Sequence, residues 1–273
     1  MPTTIPFDLH RLCLEVNSLA GQAGQYIQEA ALRFRSGDVE TKSANNFVSW
    51  VDKGAEELLT AGLAQLLPGS GFIAEENTHA EEIRDYTWII DPLDGTTNFI
   101  HGLPIYCVSI GLMHQGRIIL GVILEVNSKE CFYAWEAGGA WMNGKAIHVT
   151  TTAKLKDSLL ATGFPYYDYG RLEPFIDLLR FTMEHTRGIR RLGSAAADLA
   201  WVACGRFDGF YEYGLSPWDV AAGIVIIREA GGSLGDFDGK EDYLFGKEII
   251  ATNPYIYAEF LAVVKTTIPH QGQ

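Results

Sequence analysis

Apolar residues near the start of the chain recur at the spacing of an amphipathic helix. After Asp8, whose residue type commonly caps helices, apolar positions follow a period of about 3.6 as far as Phe34. This pattern predicts a long helix that ends near the segment RSGD at 35–38. A second apolar face predicts another helix over about 52–67, which Pro68 and Gly69 would stop.

Short apolar runs typical of strands follow these two helices. The runs at 71–74 and 88–90 predict buried strands. The segment VSIGLMHQGRIILGVILEV at 108–126 places a polar turn between two apolar runs, which predicts a hairpin. Further antiparallel strands are predicted around Asn143-Gly144, a pair of residues that favours a type I′ turn.

The second half of the chain alternates between strand-like and helix-like patterns. Strands are predicted at 158–162, 207–213 and 248–252, and helices at 173–185, 194–204 and 218–230, with a final helix capped by Asn253 and begun by Pro254. Helix pairs that alternate with sheets indicate a layered α+β or α/β architecture. Because no linker rich in Pro, Gly or Ser interrupts the chain, we expect one domain over 1–273, with two lobes that share a cleft.

The net charge of the chain bears on which partners it can bind. The chain has 273 residues, of which 47% are hydrophobic, and its formal net charge is -13. A chain of this charge repels phosphate backbones and anionic membranes, so we expect no nucleic-acid partner. A small anionic substrate stays compatible with this charge, because a bound divalent metal can dominate the local field.

The cysteines, histidines and apolar runs exclude further classes of protein. The four cysteines form no C-x-x-C pair and the seven histidines form no H-x-x-x-H pair, so zinc sites and a disulfide framework are not expected. The N-terminal segment lacks the pattern of a signal peptide, and no apolar run is long enough to span a membrane. We therefore expect a cytoplasmic protein with free thiols and no stable membrane insertion.

Acidic residues gather at three points where a predicted strand ends or a predicted helix begins. Glu75 and Glu76 follow one strand, Asp91 and Asp94 follow another, and Asp219 opens a helix. α/β proteins place binding sites in the crevice at such positions. An Asp at a helix start is most often only a cap, and a Glu pair is most often a solvated surface. Asp91 is different, because a buried carboxylate needs a partner or a metal.

The stretch that begins at Asp91 combines carboxylates with a pattern suited to phosphate. Asp91 and Asp94, separated by the rigid Pro92, can present oxygen atoms to two cations, and such ligands suit Mg²⁺ or Mn²⁺. Gly95 lets a bulky anion approach the backbone, and the amides of Gly95 and Thr96 could face a phosphate. The sequence therefore predicts a metal-assisted phosphate site in this stretch.

Five segments, in order along the chain, carry a resemblance to a known family. DPLDGTT at 91–97 and WDVAAG at 218–223 are similar to its two signatures, and AEEN at 74–77 is similar to its Glu-Glu element. KSANNFVSWVD at 42–52 and the Glu of EYGLSPWD at 212–219 occupy matching places. On these motifs the chain resembles the inositol monophosphatase family, a group of metal-dependent and lithium-sensitive phosphatases.

The resemblance implies a layered αβαβα sandwich of the inositol monophosphatase and fructose-1,6-bisphosphatase type, with a metal centre. Glu75, Asp91 and the backbone carbonyl of Leu93 would hold a first Mg²⁺. Asp91, Asp94 and Asp219 would hold a second, and Mn²⁺ would be able to substitute. Because the family is commonly dimeric, the resemblance also implies a homodimer.

The resemblance assigns roles around the attacking water and the phosphate. Thr96, with Glu75 and Asp52, would orient and deprotonate the water, and the amides of Gly95 and Thr96 would bind phosphate. A third and weaker metal site would lie near Glu75 and Asp52. Small departures from the family pattern, such as Ser49, leave the occupancy of that third site open.

The substrate implied by the resemblance is a small phosphorylated polyol. Glu212 would accept hydrogen bonds from ring hydroxyls, and Gly193, Ala195 and Asp219 would line the same pocket. The expected reaction is hydrolysis of myo-inositol monophosphate by metal-activated water. Fructose-1,6-bisphosphatase, histidinol-phosphatase and adenosine 3′,5′-bisphosphate phosphatase activities stay open as alternatives on the same fold. An inactive relative that binds metal or phosphate is the alternative from a different class.

Overall fold

A computed structural model describes residues 5–35, 39–43, 46–78, 82–165 and 169–268, with side chains given outside 39–48. The described residues form seven α-helices, a seven-stranded sheet, a five-stranded sheet and a two-stranded ribbon. The helices are α1 Leu9–Ala31, α2 Trp50–Leu66, α3 Thr96–Ile100, α4 Leu172–His185, α5 Ala195–Ala203, α6 Pro217–Glu229 and α7 Tyr257–Thr267. The strands are β1 Val39–Ser43, β2 Asn46–Ser49, β3 Gly71–Ala74, β4 Tyr86–Asp94, β5 Cys107–His114, β6 Arg117–Glu125, β7 Glu130–Trp135, β8 Ala140–Met142, β9 Lys145–Ile147, β10 Leu159–Thr162, β11 Gly188–Arg190, β12 Gly209–Tyr213, β13 Ser233–Gly235 and β14 Glu248–Thr252.

The two large sheets differ in their connections. The seven-stranded sheet runs in chain order from β3 to β9, and only the pair β3–β4 is parallel. The five-stranded sheet has the order β11-β10-β12-β14-β13, in which β10 is parallel to both β11 and β12. Short turns join the antiparallel strands from β5 to β9, whereas the parallel strands of the second sheet are linked through α4 and α5.

The helices and the two large sheets stack in five layers. α1 and α2 pack on one face of the seven-stranded sheet, and α5 and α6 pack between the two large sheets. α4 and α7 cover the outer face of the five-stranded sheet. This order is the αβαβα sandwich that the family resemblance implied, and its class is α+β.

The run Trp88, Ile89 and Ile90 in β4 is apolar without interruption because both faces of the strand are covered. Trp88 and Ile90 belong to the core under α1 and α2, whereas Ile89 belongs to the central core against α5 and α6. Successive side chains of a strand point to opposite faces, so a doubly covered strand shows no alternation of apolar and polar residues. The same alternation directs Asp91, two residues after Ile89, toward the central layer.

α6 lies unusually close to the seven-stranded sheet. Gly111 and Gly121 are paired directly across β5 and β6. A Cβ atom on Gly111 would lie 2.8 Å from the Cβ of Ala221, and one on Gly121 would lie 2.5 Å from the carbonyl oxygen of Ala222. The two glycines and the small residues of α6 therefore permit a close approach, which brings the first turn of α6 down to the end of β4.

Most predicted elements are found, with shifted ends. The hairpin turns at Gln115-Gly116 and Asn143-Gly144 have positive φ at both residues, as a type I′ turn requires. α1 ends at Ala31, before the predicted end. α2 begins earlier than predicted, because Ser49 caps the helix and Asp52 completes the capping box as its third residue.

The predicted start of the last helix is wrong. α7 begins at Tyr257, and Pro254 lies in a turn before it. The side chain of Asn253 accepts hydrogen bonds from the amides of Tyr255 at 2.9 Å and Ile256 at 3.2 Å, so it caps that turn and not the helix.

Within the described ranges, no helix is long and apolar enough to cross a membrane. The organisation of the chain as one domain with two lobes stays a prediction.

Candidate metal centre and active site

Asp91 and Asp94 lie on the same face of β4 because the strand contains a bulge. Asp91 pairs with Ser109 and Asp94 pairs with Cys107, so the two residues between the acids oppose a single residue of β5. In a regular strand, side chains three residues apart point to opposite faces. The extra residue turns Asp94 back to the face of Asp91, which is the face that contacts α6 through Ser109 Oγ and the Trp218 carbonyl.

Asp219 reaches the same place from the first turn of α6. Its Oδ2 accepts a hydrogen bond from the amide of Ser216 at 2.7 Å, which fixes the carboxylate at the helix start. One carboxylate oxygen from each of Asp91, Asp94 and Asp219 lies within 4.8 Å of the other two. This set of donors consists of oxygen alone and so fits a hard divalent cation such as Mg²⁺ or Mn²⁺.

The three carboxyls repel one another in a buried place. Asp91 is 2% exposed, and its pKa lies well above the usual range because of burial and then the charges of Glu75, Asp94 and Asp219. Burial and then Asp94 raise the pKa of Asp219. Burial also raises the pKa of Asp94, against the hydrogen bond from Ser194 that lowers it. A divalent cation would offset this repulsion, because it favours the ionised form of each carboxyl.

Glu75 and Leu93 lie next to the three acids. Glu75 follows the last residue of β3, and its amide donates to the carbonyl of Ile90 at 3.2 Å. Its side chain lines the same cavity as Asp94 and Asp219. The Leu93 carbonyl lies in the bulge, accepts one hydrogen bond from Thr96 and has a second lone pair. The predicted ligands of both metals are thus brought together.

Asp52 and Thr96 form a hydrogen-bonded pair beside the acids. Thr96 Oγ1 lies 3.1 Å from Asp52 Oδ1 and 3.0 Å from the carbonyl oxygen of Leu93. Asp52 Oδ2 accepts from the amide of Ser49 at 2.9 Å and from its hydroxyl at 2.6 Å. Burial raises the pKa of Asp52, and the Ser49 hydrogen bonds oppose this effect. Because the one hydroxyl proton of Thr96 is directed to these acceptors, Thr96 can act only as an acceptor toward a further donor.

Asp94 is also held from the side of the five-stranded sheet. Its Oδ2 accepts from the hydroxyl of Ser194 at 2.6 Å and from the amide of Ala196 at 2.7 Å. The Ser194 hydroxyl accepts from the amide of Ala197 at 3.2 Å, so the same side chain caps α5 and binds the acid. Ala195, between them in sequence, lines the cavity.

The predicted phosphate loop packs against the loop that precedes α5. Gly95 has a φ of 98°, a conformation that favours glycine. A Cβ atom there would lie 3.0 Å from the carbonyl oxygen of Ile105 and 3.2 Å from that of Gly193. Asn98 joins the loops, because its Nδ2 donates to the carbonyls of Ile105 and Leu192, both at 2.8 Å. Gly95 and Gly193, distant in sequence, are therefore neighbours.

Six of the predicted site residues line one cavity, whereas Asp52, Asp91, Leu93, Gly95 and Thr96 are not among its lining residues. Its volume is about 180 Å³, and Glu75, Asp94 and Asp219 line it together with Glu212. A larger cavity of about 670 Å³ lies between α1 and β6, but Glu29 is the single acid among its lining residues. We place the candidate active site in the smaller cavity, because only an acid cluster offers ligands for a divalent metal.

Glu212 lies against the backbone of Gly163. A Cβ atom on Gly163 would lie 1.9 Å from Glu212 Oε1 and 2.0 Å from Oε2, so any larger residue at 163 would displace the carboxylate. Burial raises the pKa of Glu212 to about 8, with a further rise from Asp94 that Arg191 opposes. The structure places Glu212 at the predicted substrate pocket and adds Gly163 as its support.

Several residues of the site were missed by the sequence analysis. Arg191 and Asp198 line the cavity, and the link of Ser194 to Asp94 was not foreseen. Asp198 is 1% exposed, and its Oδ1 accepts no hydrogen bond from the described part of the chain. Burial, then the charges of Glu212 and Asp94, raise its pKa well above the usual range. The sequence signal that could have indicated Asp198 is an acid inside an otherwise apolar, Ala-rich helix.

In the motif at 42–52, the side chains before Ser49 lie outside the described residues.

Comparison with known proteins supports a single relationship over most of the chain. The inositol monophosphatase family model matches residues 9–268. An inositol-1-monophosphatase of Mesorhizobium japonicum is 42% identical over 90% of this chain and 93% of its own. The Nus factor SuhB of Pseudomonas aeruginosa is 39% identical over 92% of this chain and 94% of its own.

Solved structures agree with this relationship. An inositol monophosphatase from Anabaena superposes with a TM-score of 0.85 at 34% identity, over 96% of this chain and 98% of its own. The extragenic suppressor protein suhB from Bartonella henselae superposes with a TM-score of 0.85 at 38% identity, over 91% and 96% of the two chains. The acid cluster, the fold and these matches together show that the chain belongs to the inositol monophosphatase family of phosphatases.

Proposed function

We propose that the protein is a Mg²⁺-dependent phosphomonoesterase that hydrolyses myo-inositol monophosphate to myo-inositol and phosphate. The observation that carries this proposal is the approach of Asp91, Asp94 and Asp219 to within 4.8 Å of one another. Burial and mutual repulsion raise the pKa values of these three carboxyls. A bound cation would favour their ionised forms and offset the repulsion. The chain keeps every acid that the family motif requires.

The proposed metal centre uses the ligands predicted from the sequence. Glu75, Asp91 and the Leu93 carbonyl would hold one ion, and Asp91, Asp94 and Asp219 a second, with Mn²⁺ able to substitute. Glu75 and Asp52 would contribute to a third site where one forms. Bound by these groups, Mg²⁺ would neutralise phosphate charge, raise the acidity of water and stabilise the leaving alkoxide.

Asp52 and Thr96 would orient the attacking water. Because the Thr96 proton is directed to Asp52 Oδ1 and the Leu93 carbonyl, its oxygen would accept a hydrogen bond from the water. That contact would restrict the orientation of the water by fixing the direction of one O–H bond. Glu75, beside Asp91, would accept the proton released as the water attacks, in the role of a general base.

Phosphate and polyol would occupy the rest of the cavity. The amides of Gly95 and Thr96 would donate to phosphate oxygens, and the close contact of Gly95 with Gly193 brings the phosphate loop to the substrate pocket. Glu212, with Gly193, Ala195 and Asp219, would contact the hydroxyls of the polyol. A volume of about 180 Å³ suits one small ring and not a large substrate.

The relatives' names bear on the choice of substrate and on a second candidate. Inositol-1-monophosphatase, the name of a relative 42% identical to this chain, favours inositol monophosphate over the bisphosphates and histidinol phosphate. Other relatives carry the name Nus factor SuhB, so a role as a Nus factor is the second candidate function. The net charge of -13 weighs against direct binding of nucleic acid, and the complete set of acids weighs against an inactive relative.

The remaining expectations belong to the same proposal. The protein would be a cytoplasmic homodimer, without stable insertion into a membrane. Li⁺ would inhibit it by displacing a metal, since the family resemblance includes lithium sensitivity. The location, the dimer and the inhibition by Li⁺ are not needed for the hydrolytic chemistry at the acid cluster.

The proposal is tested by phosphate release from inositol 1-phosphate. Purified protein with Mg²⁺ should release phosphate, EDTA should stop the reaction, and Mg²⁺ in excess should restore it. Fructose bisphosphate, histidinol phosphate and adenosine bisphosphate in the same assay rank the alternatives. A protein that binds metal and releases phosphate from none of these phosphate esters would contradict the proposed function.

A further inference from the structure

Glu56 is a buried carboxylate that binds the backbone beside Glu75. It is 0% exposed and lies on α2. Its Oε2 accepts a hydrogen bond from the amide of Glu76 at 2.7 Å. Its Oε1 accepts from both the amide and the hydroxyl of Thr78, each at 2.7 Å. All three hydrogen bonds therefore come from the loop that follows β3.

The position of Glu56 on α2 explains how it reaches this loop. Asp52 and Glu56 are four residues apart, so they lie on the same face of the helix, one turn from each other. Asp52 contacts Thr96, after the end of β4, whereas Glu56 contacts the loop after β3. One helix face thus holds the two parallel strands of the sheet at the ends that carry the acids.

The loop that Glu56 holds begins where the strand pairing of β3 ends. β3 has four residues, pairs with β4 on one side and forms an isolated bridge from Phe72 to Glu82 on the other. The pairing ends with the hydrogen bond from the Glu75 amide to Ile90, and Asn77 then adopts a φ of 52°. The contacts of Glu56 at Glu76 and Thr78 begin one residue after Glu75, at the point where the strand pairing ends.

We propose that Glu56 is a positioning residue for Glu75. By fixing the main chain on both sides of Asn77, it holds the Glu75 carboxylate toward Asp91 and thereby sets the affinity of the metal centre. The inference rests on the proposed function, because it takes Glu75 as a metal ligand. Hydrogen bonds from N–H and O–H groups to an ionised carboxylate are shorter and stronger than neutral ones. Without the hydrogen bonds of Glu56, the main chain at Glu76 and Thr78, directly after Glu75, would lose three contacts to α2.

A purely structural role would give a different result from a positioning role. If Glu56 only satisfies buried amides, its loss lowers the thermal stability and leaves the metal affinity of the folded protein unchanged. If it positions Glu75, its loss weakens metal binding even where the protein is fully folded. The two roles separate when metal binding is measured without substrate and well below the unfolding temperature.

The experiment compares Glu56→Gln with Glu57→Gln. The two variants carry the same substitution at adjacent positions of α2, but Glu57 is exposed and Glu56 is buried. In Glu56→Gln, the new side-chain amide would present an N–H₂ group to backbone N–H groups, so at least one hydrogen bond is lost. Mn²⁺ binding is titrated by the EPR signal of the free ion, and unfolding of each variant in EDTA is followed by circular dichroism.

We expect Glu56→Gln to weaken Mn²⁺ binding at least about tenfold, the lower end of the effect of losing a partner that orients a metal ligand. Glu57→Gln should bind Mn²⁺ as the unsubstituted protein does. Equal Mn²⁺ affinity for Glu56→Gln and the unsubstituted protein would overturn the inference. Because the titration uses no substrate, this result differs from failure of the proposed function, in which metal binds but no phosphate is released.

A second variant covers the case in which Glu56→Gln does not fold. Thr78→Val removes only the hydroxyl donor and keeps the amide hydrogen bond to Glu56. It should fold, and it should weaken Mn²⁺ binding by a smaller factor, about twofold to tenfold. Unchanged Mn²⁺ affinity in folded Thr78→Val, together with an unfolded Glu56→Gln, would assign Glu56 to stability alone and overturn the inference.

Discussion

Ser194 donates a hydrogen bond of 2.6 Å to Asp94, and this contact joins the two large sheets at the acid cluster. Asp94 ends a strand of the seven-stranded sheet, whereas Ser194 caps α5, which packs on the five-stranded sheet as well. The two residues are 100 positions apart in the chain. The contact therefore fixes a proposed metal ligand with respect to the part of the chain that carries the substrate pocket.

Ser194→Ala should weaken metal binding and lower stability by separate mechanisms. Loss of the cap should cost about 1 kcal/mol in the free energy of unfolding. Loss of the hydrogen bond to Asp94 should reduce Mn²⁺ affinity by about 10- to 100-fold, as expected for a partner of a metal ligand. Denaturant unfolding in EDTA measures the first effect and EPR titration of Mn²⁺ measures the second. Full Mn²⁺ affinity in the folded variant would show that the Ala196 amide alone holds Asp94.

Asp94→Asn should abolish most of the turnover while the fold is kept. The substitution removes one negative charge from a proposed metal ligand, yet an amide oxygen can still accept from Ser194 and Ala196. We expect turnover with Mg²⁺ to fall by more than about 100-fold, beyond the effect of losing an outer partner of the ligand. Phosphate release at fixed Mg²⁺ and thermal unfolding in EDTA are the measurements. Ordinary turnover at ordinary Mg²⁺ concentration would remove Asp94 from the metal site.

The motifs indicated which acids meet, but not the backbone feature that makes them meet. Asp91 and Asp94 are three residues apart, a spacing that would place them on opposite faces of a regular strand. The bulge that corrects this is defined by pairing with Ser109 and Cys107, and strand register cannot be read from β4 alone. Likewise, the close approach of α6 depends on Gly111 and Gly121 being opposite each other, which only the sheet establishes.

Local signals were correct about residue types and less reliable about what those residues contact. The helix predicted at 194–204 is found as α5 with Ser194 as its cap, but the bond of Ser194 to Asp94 is a tertiary contact that no periodicity reports. Asn253 and Pro254 have the pattern of a helix start, yet the same side-chain acceptor serves a turn equally well. The role of Glu56 was not predicted, because an acid in an amphipathic helix resembles a surface residue until its burial is known.

Glu212→Gln should change substrate preference more than it slows phosphate release in general. In an assay above about pH 8, where Glu212 is ionised, the substitution keeps an acceptor for a polyol hydroxyl but removes the charge that strengthens the hydrogen bond. This loss should raise KM for inositol 1-phosphate about tenfold. p-Nitrophenyl phosphate has no polyol hydroxyls and should be nearly unaffected. Steady-state kinetics on both substrates measures the difference. Equal losses for the two substrates would count against recognition by Glu212.

Gly163→Ala should reproduce this selectivity without any change at Glu212. The new Cβ would lie within 2.0 Å of the Glu212 carboxylate oxygens, so the side chain must move from its place in the pocket. We expect KM for inositol 1-phosphate to rise while turnover of p-nitrophenyl phosphate stays close to that of the unsubstituted protein. Combining Gly163→Ala with Glu212→Gln should add little to either change, because both act on one contact. Additive effects in the double variant would separate the two residues.

The stabilisation of the protein by Mg²⁺ should increase as the pH rises. Burial and mutual repulsion raise the folded-state pKa values of Asp91, Asp94 and Asp219, so the metal-free native state keeps protons that the unfolded chain loses above about pH 4. The native state therefore binds more protons than the unfolded state, and the contribution of these groups to stability falls as the pH rises through their folded pKa values. Mg²⁺ needs the ionised carboxylates, so it competes with protons at low pH and offsets the repulsion at high pH.

The measurement is thermal unfolding in EDTA and in Mg²⁺ at several values between about pH 5 and about pH 8. The increase in Tm caused by Mg²⁺ should grow across this range, with a free-energy contribution of up to about 1.4 kcal/mol per pH unit for each proton that the metal displaces. Asp94→Asn is the matched control, because it removes one of the titrating groups and should flatten the dependence. A Tm increase that is constant with pH would mean that these carboxyls are already ionised in the metal-free protein, and an increase that is larger at about pH 5 than at about pH 8 would contradict competition between Mg²⁺ and protons.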